Sequence, residues 1–82
     1  MVDFWKEYIV VQEGSITRVA YSYHWQNKGG TLKMRWDNVA HHRDVPTFPH
    51  HIHLESEGNV IPSHAPELDQ VLAEIEAKLR IA

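Results

Sequence analysis

The segment Ile16-Thr-Arg-Val-Ala-Tyr-Ser-Tyr-His-Trp-Gln26, then Asn27-Lys28-Gly29-Gly30, then Leu32-Lys-Met-Arg-Trp-Asp37, carries the clearest structural signal in the chain. Side chains of a strand alternate between two faces. Thr17, Val19, Tyr21, Tyr23 and Trp25 therefore share one face of the first run, and Arg18, Ala20, Ser22, His24 and Gln26 the other. In the second run Leu32, Met34 and Trp36 stand against Lys33, Arg35 and Asp37. The glycine pair supplies the positive φ angles of a tight loop. Burying both aromatic faces on one side predicts a hairpin with Gln26 opposite Thr31, Tyr23 opposite Met34 and Tyr21 opposite Trp36. On the reverse side His24 meets Lys33 and Ser22 meets Arg35. A slip of one residue would bury Arg35 and expose Trp36, so the assignment of faces is well determined.

On the N-terminal side, Phe4 to Gln12 is rich in aromatic and β-branched residues and reads as a strand, joined to the hairpin through the turn Glu13-Gly14-Ser15. On the C-terminal side, residues 38–49 have no helical or strand period and read as a loop. His50 to Glu55 reads as a short fourth strand, with Ile52 and Leu54 turned inward and His51 and His53 outward. Glu57-Gly58-Asn59 is a turn and Val60-Ile61 a brief extended piece. Leu68, Val71, Leu72, Ile75 and Leu79 recur at three- and four-residue steps and predict a core-facing helix over 67–80. Pro66 is placed as its first residue, with no side-chain cap at Ala65. The fold class is α+β: an antiparallel meander of three to four strands with one C-terminal helix packed on its aromatic face, forming a single domain over residues 1–82.

At 82 residues, such a domain buries only about 60% of its unfolded surface, so a homodimer is expected as a source of further burial. There are no cysteines, which removes disulfides and thiolate metal sites and fits a reducing cytoplasm. No apolar run approaches the roughly 18 residues of a membrane span, and the first residues lack the pattern of a signal peptide. The net charge of −3 is uneven. Residues 1–54 hold six Lys/Arg against five Asp/Glu, and residues 55–82 hold two against six. That balance argues against a general electrostatic binder of nucleic acid.

Tyr21-Ser-Tyr-His-Trp-Gln26, Arg35-Trp-Asp-Asn38, His41-His42 and Thr47-Phe-Pro-His-His-Ile-His53 together resemble the pattern of the TumE toxin family. The resemblance spans about residues 18–76, and its motifs concentrate in 21–53. Ala40 departs from the pattern, which usually has proline before the first histidine pair. The resemblance implies a cytoplasmic toxin of a type II toxin–antitoxin pair, partnered by a helix-turn-helix antitoxin. It names a system rather than a reaction.

Five histidines fall between His41 and His53, a density that a solvated loop does not require. Histidine serves as acid or base near neutral pH, and arginine clamps phosphate through paired hydrogen bonds. A ribonuclease reading therefore assigns Arg35 to phosphate, two of His24, His50, His51 and His53 to acid and base, and Asp37 to orienting an imidazole. Trp25 would stack a base. This chemistry needs no cofactor and expects RNA as partner. It also requires the loop to fold back over the polar face of the sheet.

Blander readings stand beside it. His24 reads equally as a solvated strand residue, Arg35 and Asp37 as a surface ion pair, and Tyr21, Tyr23 and Trp36 as core. The alternative function is a non-catalytic or metal-binding interaction module. There His41, His42, His51 and His53 hold Zn²⁺, although their spacing matches no standard motif. Phe48, between two prolines, reads as a loop anchor or a partner contact.

Overall fold

The period-two runs form the sheet that they predict, with one strand more than expected. A computed structural model describes residues 2–81, with the elements β1 (Val2–Gln12), β2 (Ser15–Gln26), β3 (Leu32–Asp37), β4 (His51–Leu54), β5 (Val60–Pro62) and α1 (Leu68–Ile81). The strands lie in the order β1-β2-β3-β4-β5, each antiparallel to the next. The architecture is α+β, as the sequence implies. The fifth strand arises because the turn after β4 sends the chain straight back along an unpaired edge. The Leu54 amide donates to the Asn59 carbonyl at 2.9 Å, and the Asn59 side-chain amide donates to the Leu54 carbonyl at 3.1 Å. Glu55 takes a left-handed φ of 63° to make that reversal.

The faces of the central hairpin are those expected, but its pairing is shifted by two residues. Tyr23 faces Trp36, Trp25 faces Met34, His24 faces Arg35 and Ser22 faces Asp37. Asn27 is the cause. Its Oδ1 accepts hydrogen bonds from the amides of Gly29 and Thr31 at 2.9 and 3.0 Å, and its own amide donates to the Thr31 carbonyl at 3.1 Å. Thr31 is thereby held in the loop, and the first ladder pair is Gln26 with Leu32, followed by an irregularity. An even shift leaves every side chain on its face. Past the end of β3, the Asn38 side chain continues the ladder, accepting from the Tyr21 amide and donating to the Val19 carbonyl at 3.0 and 3.1 Å.

Tyr21, Tyr23, Trp25, Met34 and Trp36 form the core with Val71 and Ile75 of α1, and Ile52, Leu54 and Leu68 pack at its margin. Trp25 is only 6% exposed and lies in this core, so it is no platform for a base. The apolar stripe of the helix is buried in part. Val71 and Ile75 are covered, while Leu72 and Leu79 are 48% and 59% exposed. The helix also starts later than expected. Glu67 precedes it, and the Gln70 side chain reaches back to accept from the Glu67 amide at 2.8 Å, half of a capping box. Arg18 departs from simple alternation. A register shift between Tyr8 and Ile9 lies beside it, and its guanidinium reaches the core side of the sheet, bonding the Tyr23 hydroxyl and the Pro66 carbonyl, each at 2.7 Å. It also lies 4.5 Å over the Tyr21 ring.

Ile75→Ala should therefore cost about 2–5 kcal/mol in a urea denaturation measurement. Leu79→Ala, on the same sequence stripe, should stay within about 0.5 kcal/mol of the parent chain.

Candidate functional site

The face of the sheet away from α1 is charged and imidazole-rich, and its part around Asp37, His51 and His53 is buried. β3 contributes Arg35 and Asp37, and β4 contributes His53 and His51 directly opposite them. Side chains paired this way across antiparallel strands stand side by side. Residues 38–50 fold back over this face through successive tight turns, in which Val45 bonds the His42 carbonyl, Phe48 that of Val45 and His50 that of Thr47. The Thr47 hydroxyl donates to the His50 carbonyl at 2.7 Å and accepts from the Ser63 amide at 2.9 Å, tying the loop to the chain beyond β5. Val45 is buried, and Phe48 is half-buried with the Arg43 guanidinium 5.3 Å above its ring.

The loop delivers His42 to the two strand histidines. Ring centroids are 4.8 Å apart for His42 and His51, 5.3 Å for His42 and His53, and 4.9 Å for His51 and His53, each pair being close to perpendicular. His51 and His53 are 2% and 4% exposed. Their outer nitrogens are committed: His51 Nδ1 donates to the Pro49 carbonyl and His53 Nδ1 to the Glu57 carbonyl, both at 2.8 Å. A carbonyl only accepts, so each Nδ1 carries a proton and each ring turns its Nε2 inward. The two Nε2 atoms lie 3.1 Å apart. Asp37, 3% exposed, places Oδ1 at 2.8 Å from His51 Nε2 and Oδ2 at 3.6 Å from His53 Nε2. The carboxylate is held from behind by the Val39 amide at 3.1 Å and Arg35 Nε at 3.0 Å.

Arg35 links this buried centre to the surface. Its two terminal nitrogens grip both oxygens of Glu57 at 2.6 and 2.5 Å. This pairing raises the Arg35 pKa and holds the Glu57 carboxyl below its ordinary range. Glu57 is 65% exposed and Arg35 22%. His24, across from Arg35 on β2, bonds the Gln26 side chain at 3.0 Å and lies close enough to Glu57 to help lower its pKa.

Of the candidates, Asp37, His51, His53 and Arg35 thus converge, with His42 above them and His24 at the edge. His50 does not join them. It lies on the core side of the sheet, its ring stacked at 5.7 Å on Tyr21 and its Nδ1 2.8 Å from the Tyr21 hydroxyl. His50 shares parity with Ile52 and Leu54, so alternation itself sends it there. His41 is exposed and outside the histidine group. Arg35 is engaged by two carboxylates instead of standing ready for phosphate. Glu57, read only as a turn residue, belongs to the site. Its sole sequence signal is an acid four residues after His53 in a turn that must pass the end of β3.

The family model described as "Toxin TumE" matches residues 3–79. The chain belongs to the TumE toxin family. The resemblance carried by the motifs between Tyr21 and His53 is borne out. No curated protein and no solved structure matches the TumE chain significantly. No helix among its described residues is long and apolar enough to cross a membrane.

Burial lowers the His50 pKa, helped by the Arg18 charge, and burial likewise lowers that of His53 against the opposing hydrogen bond to the Glu57 carbonyl. The unfolded chain then binds these protons first, so stability should fall as pH drops below about 6.5. Urea midpoints measured from pH 7.5 to 5.5 should show that decline. It should be shallower in His50→Gln.

Proposed function

We propose that this TumE-family chain is the toxin half of a toxin–antitoxin pair and that it cuts RNA at the surface edge formed by His24, Arg35 and Glu57. The observation that carries this reading is the two-pronged Arg35–Glu57 pair, which lies at the open end of the polar face beside His24. The buried histidines are poorly suited to be the acid and base themselves. Acid and base must reach oxygens on opposite sides of the phosphorus, each within about 3 Å of its own proton. His51 and His53 point their inner nitrogens at one spot, 3.1 Å from each other. Their neighbour Asp37 instead holds Arg35 in place through Nε.

In the proposed reaction an RNA phosphate displaces Glu57 from the outer prongs of Arg35, whose planar fork suits phosphate as well as carboxylate. The released Glu57 takes the proton of the ribose 2′-hydroxyl. A bond forms from O2′ to phosphorus, the bond from phosphorus to O5′ breaks, and His24 as imidazolium gives its proton to the leaving oxygen. The products are a 2′,3′-cyclic phosphate and a 5′-hydroxyl. The partner is an antitoxin that covers this edge, encoded beside the toxin.

RNA incubated with the purified chain, without added Mg²⁺, should yield cyclic-phosphate ends. Glu57→Gln and His24→Asn should each slow cleavage by about 10²–10⁴-fold while leaving the Tm close to that of the parent. Growth arrest that persists undiminished in Glu57→Gln, or intact RNA in every assay, would refute the catalytic reading.

A further inference from the structure

We infer that His42, His51, His53 and Asp37 form a structural site for one divalent transition-metal ion of the Zn²⁺ type, which clasps residues 38–50 onto the sheet. The ribonuclease reading is not needed for this, since the inference rests on the buried donors and not on the surface edge.

The first ground is the direction of the inner nitrogens. Both outer nitrogens of His51 and His53 donate to backbone carbonyls, so their two Nε2 atoms face each other at 3.1 Å with a carboxylate oxygen 2.8 Å from one of them. Donor atoms that converge this closely are held by a positive species between them, a metal ion or a shared proton. The second is size. One donor atom from each of His42, His51 and His53 falls within 4.8 Å of the others. Bonds of roughly 2.0–2.1 Å to a tetrahedral ion put ligand atoms about 3.3 Å apart. The His51–His53 Nε2 separation of 3.1 Å and the 2.8 Å from His51 Nε2 to Asp37 Oδ1 lie near that value, and the other oxygen of Asp37 stands 3.6 Å from His53 Nε2.

The third ground is the surrounding layer. Ligating imidazoles almost always donate their other N–H to a carbonyl or carboxylate, and ligating carboxylates are themselves hydrogen-bonded. His51, His53 and Asp37 each meet that requirement, the last through Arg35 and Val39. Three nitrogens and one oxygen suit Zn²⁺ and disfavour Mg²⁺ or Ca²⁺, which take oxygen donors. Four protein ligands in a buried setting leave no open position, the mark of a structural ion. The ligands come from β3, β4 and the loop, so the ion would join the three.

The test uses the full chain without a histidine tag, stripped with chelator and exchanged into metal-free buffer, with Zn²⁺ or Co²⁺ as probe. One ion should bind per chain, Co²⁺ should give the intense visible bands of four-coordinate geometry, and Tm should rise with Zn²⁺. Because His51→Ala opens a hole in a buried cluster, the deciding variant is His42→Ala, at a half-buried loop position. Its metal-free Tm should match the parent, and its affinity should fall by about tenfold or more, at least the effect of losing an outer partner. His41→Ala should bind as the parent does. The inference is overturned if binding is absent, if His41→Ala and His42→Ala lose it equally, or if Co²⁺ gives only weak six-coordinate bands. It is also overturned if the ¹⁵N signals of His51 and His53 Nε2 ignore Zn²⁺ and show a resident proton instead.

Discussion

A carboxylate with almost no exposure has to be answered by its neighbours, and the arrangement around Asp37 follows from that requirement. Removing an ionised group from water costs several kcal/mol unless hydrogen bonds and opposite charge replace the solvent. Asp37 receives a backbone amide from Val39, Arg35 Nε from its own strand, and the inward edge of His51 from the next strand. Each of these partners is then held elsewhere. Arg35 is gripped by Glu57, His51 is anchored on the Pro49 carbonyl, and His53 beside it on that of Glu57. The polar face is therefore a continuous network from a buried carboxylate to an exposed one, and no buried side-chain polar atom among the described residues lacks a partner.

Much of the fold could be read from alternation alone. Tyr21, Tyr23 and Trp25 against Met34 and Trp36 defined the core face, and the structure keeps it. The pairing within that face could not be read the same way, because shifts of two residues bury the same side chains. Asn27 made the choice through bonds to two loop amides, a local contest that hydrophobic pattern does not register. The fifth strand was legible only as a brief extended piece at Val60-Ile61, for a related reason. Three residues ending in Pro62 have too little pattern to announce a strand, and their pairing depends on the turn before them.

For the site, residue type said more than position. The density of histidines marked the region, and the pleat placed His51 and His53 together on the outer face. Their burial was not apparent, because it comes from a loop without periodicity whose path is set by Thr47, Ser63 and a series of tight turns. The same loop separates neighbours: it carries His42 into the cluster and leaves His41 in solvent. Glu57 was hidden because its role is split, with its carbonyl serving His53 and its carboxylate serving Arg35.

The simple strand order has a consequence for how the molecule is made. Every strand pairs only with its neighbours in sequence, so no segment waits for a distant partner before it can dock. Connections of this kind close small loops and carry a low entropic barrier, which favours rapid folding. The sheet can consequently grow strand by strand as synthesis proceeds, and the helix that covers its aromatic side is made after all five strands. Until then, Tyr23 and Trp36 lack their final cover, and that interval is when the nascent chain is most exposed to association with other molecules.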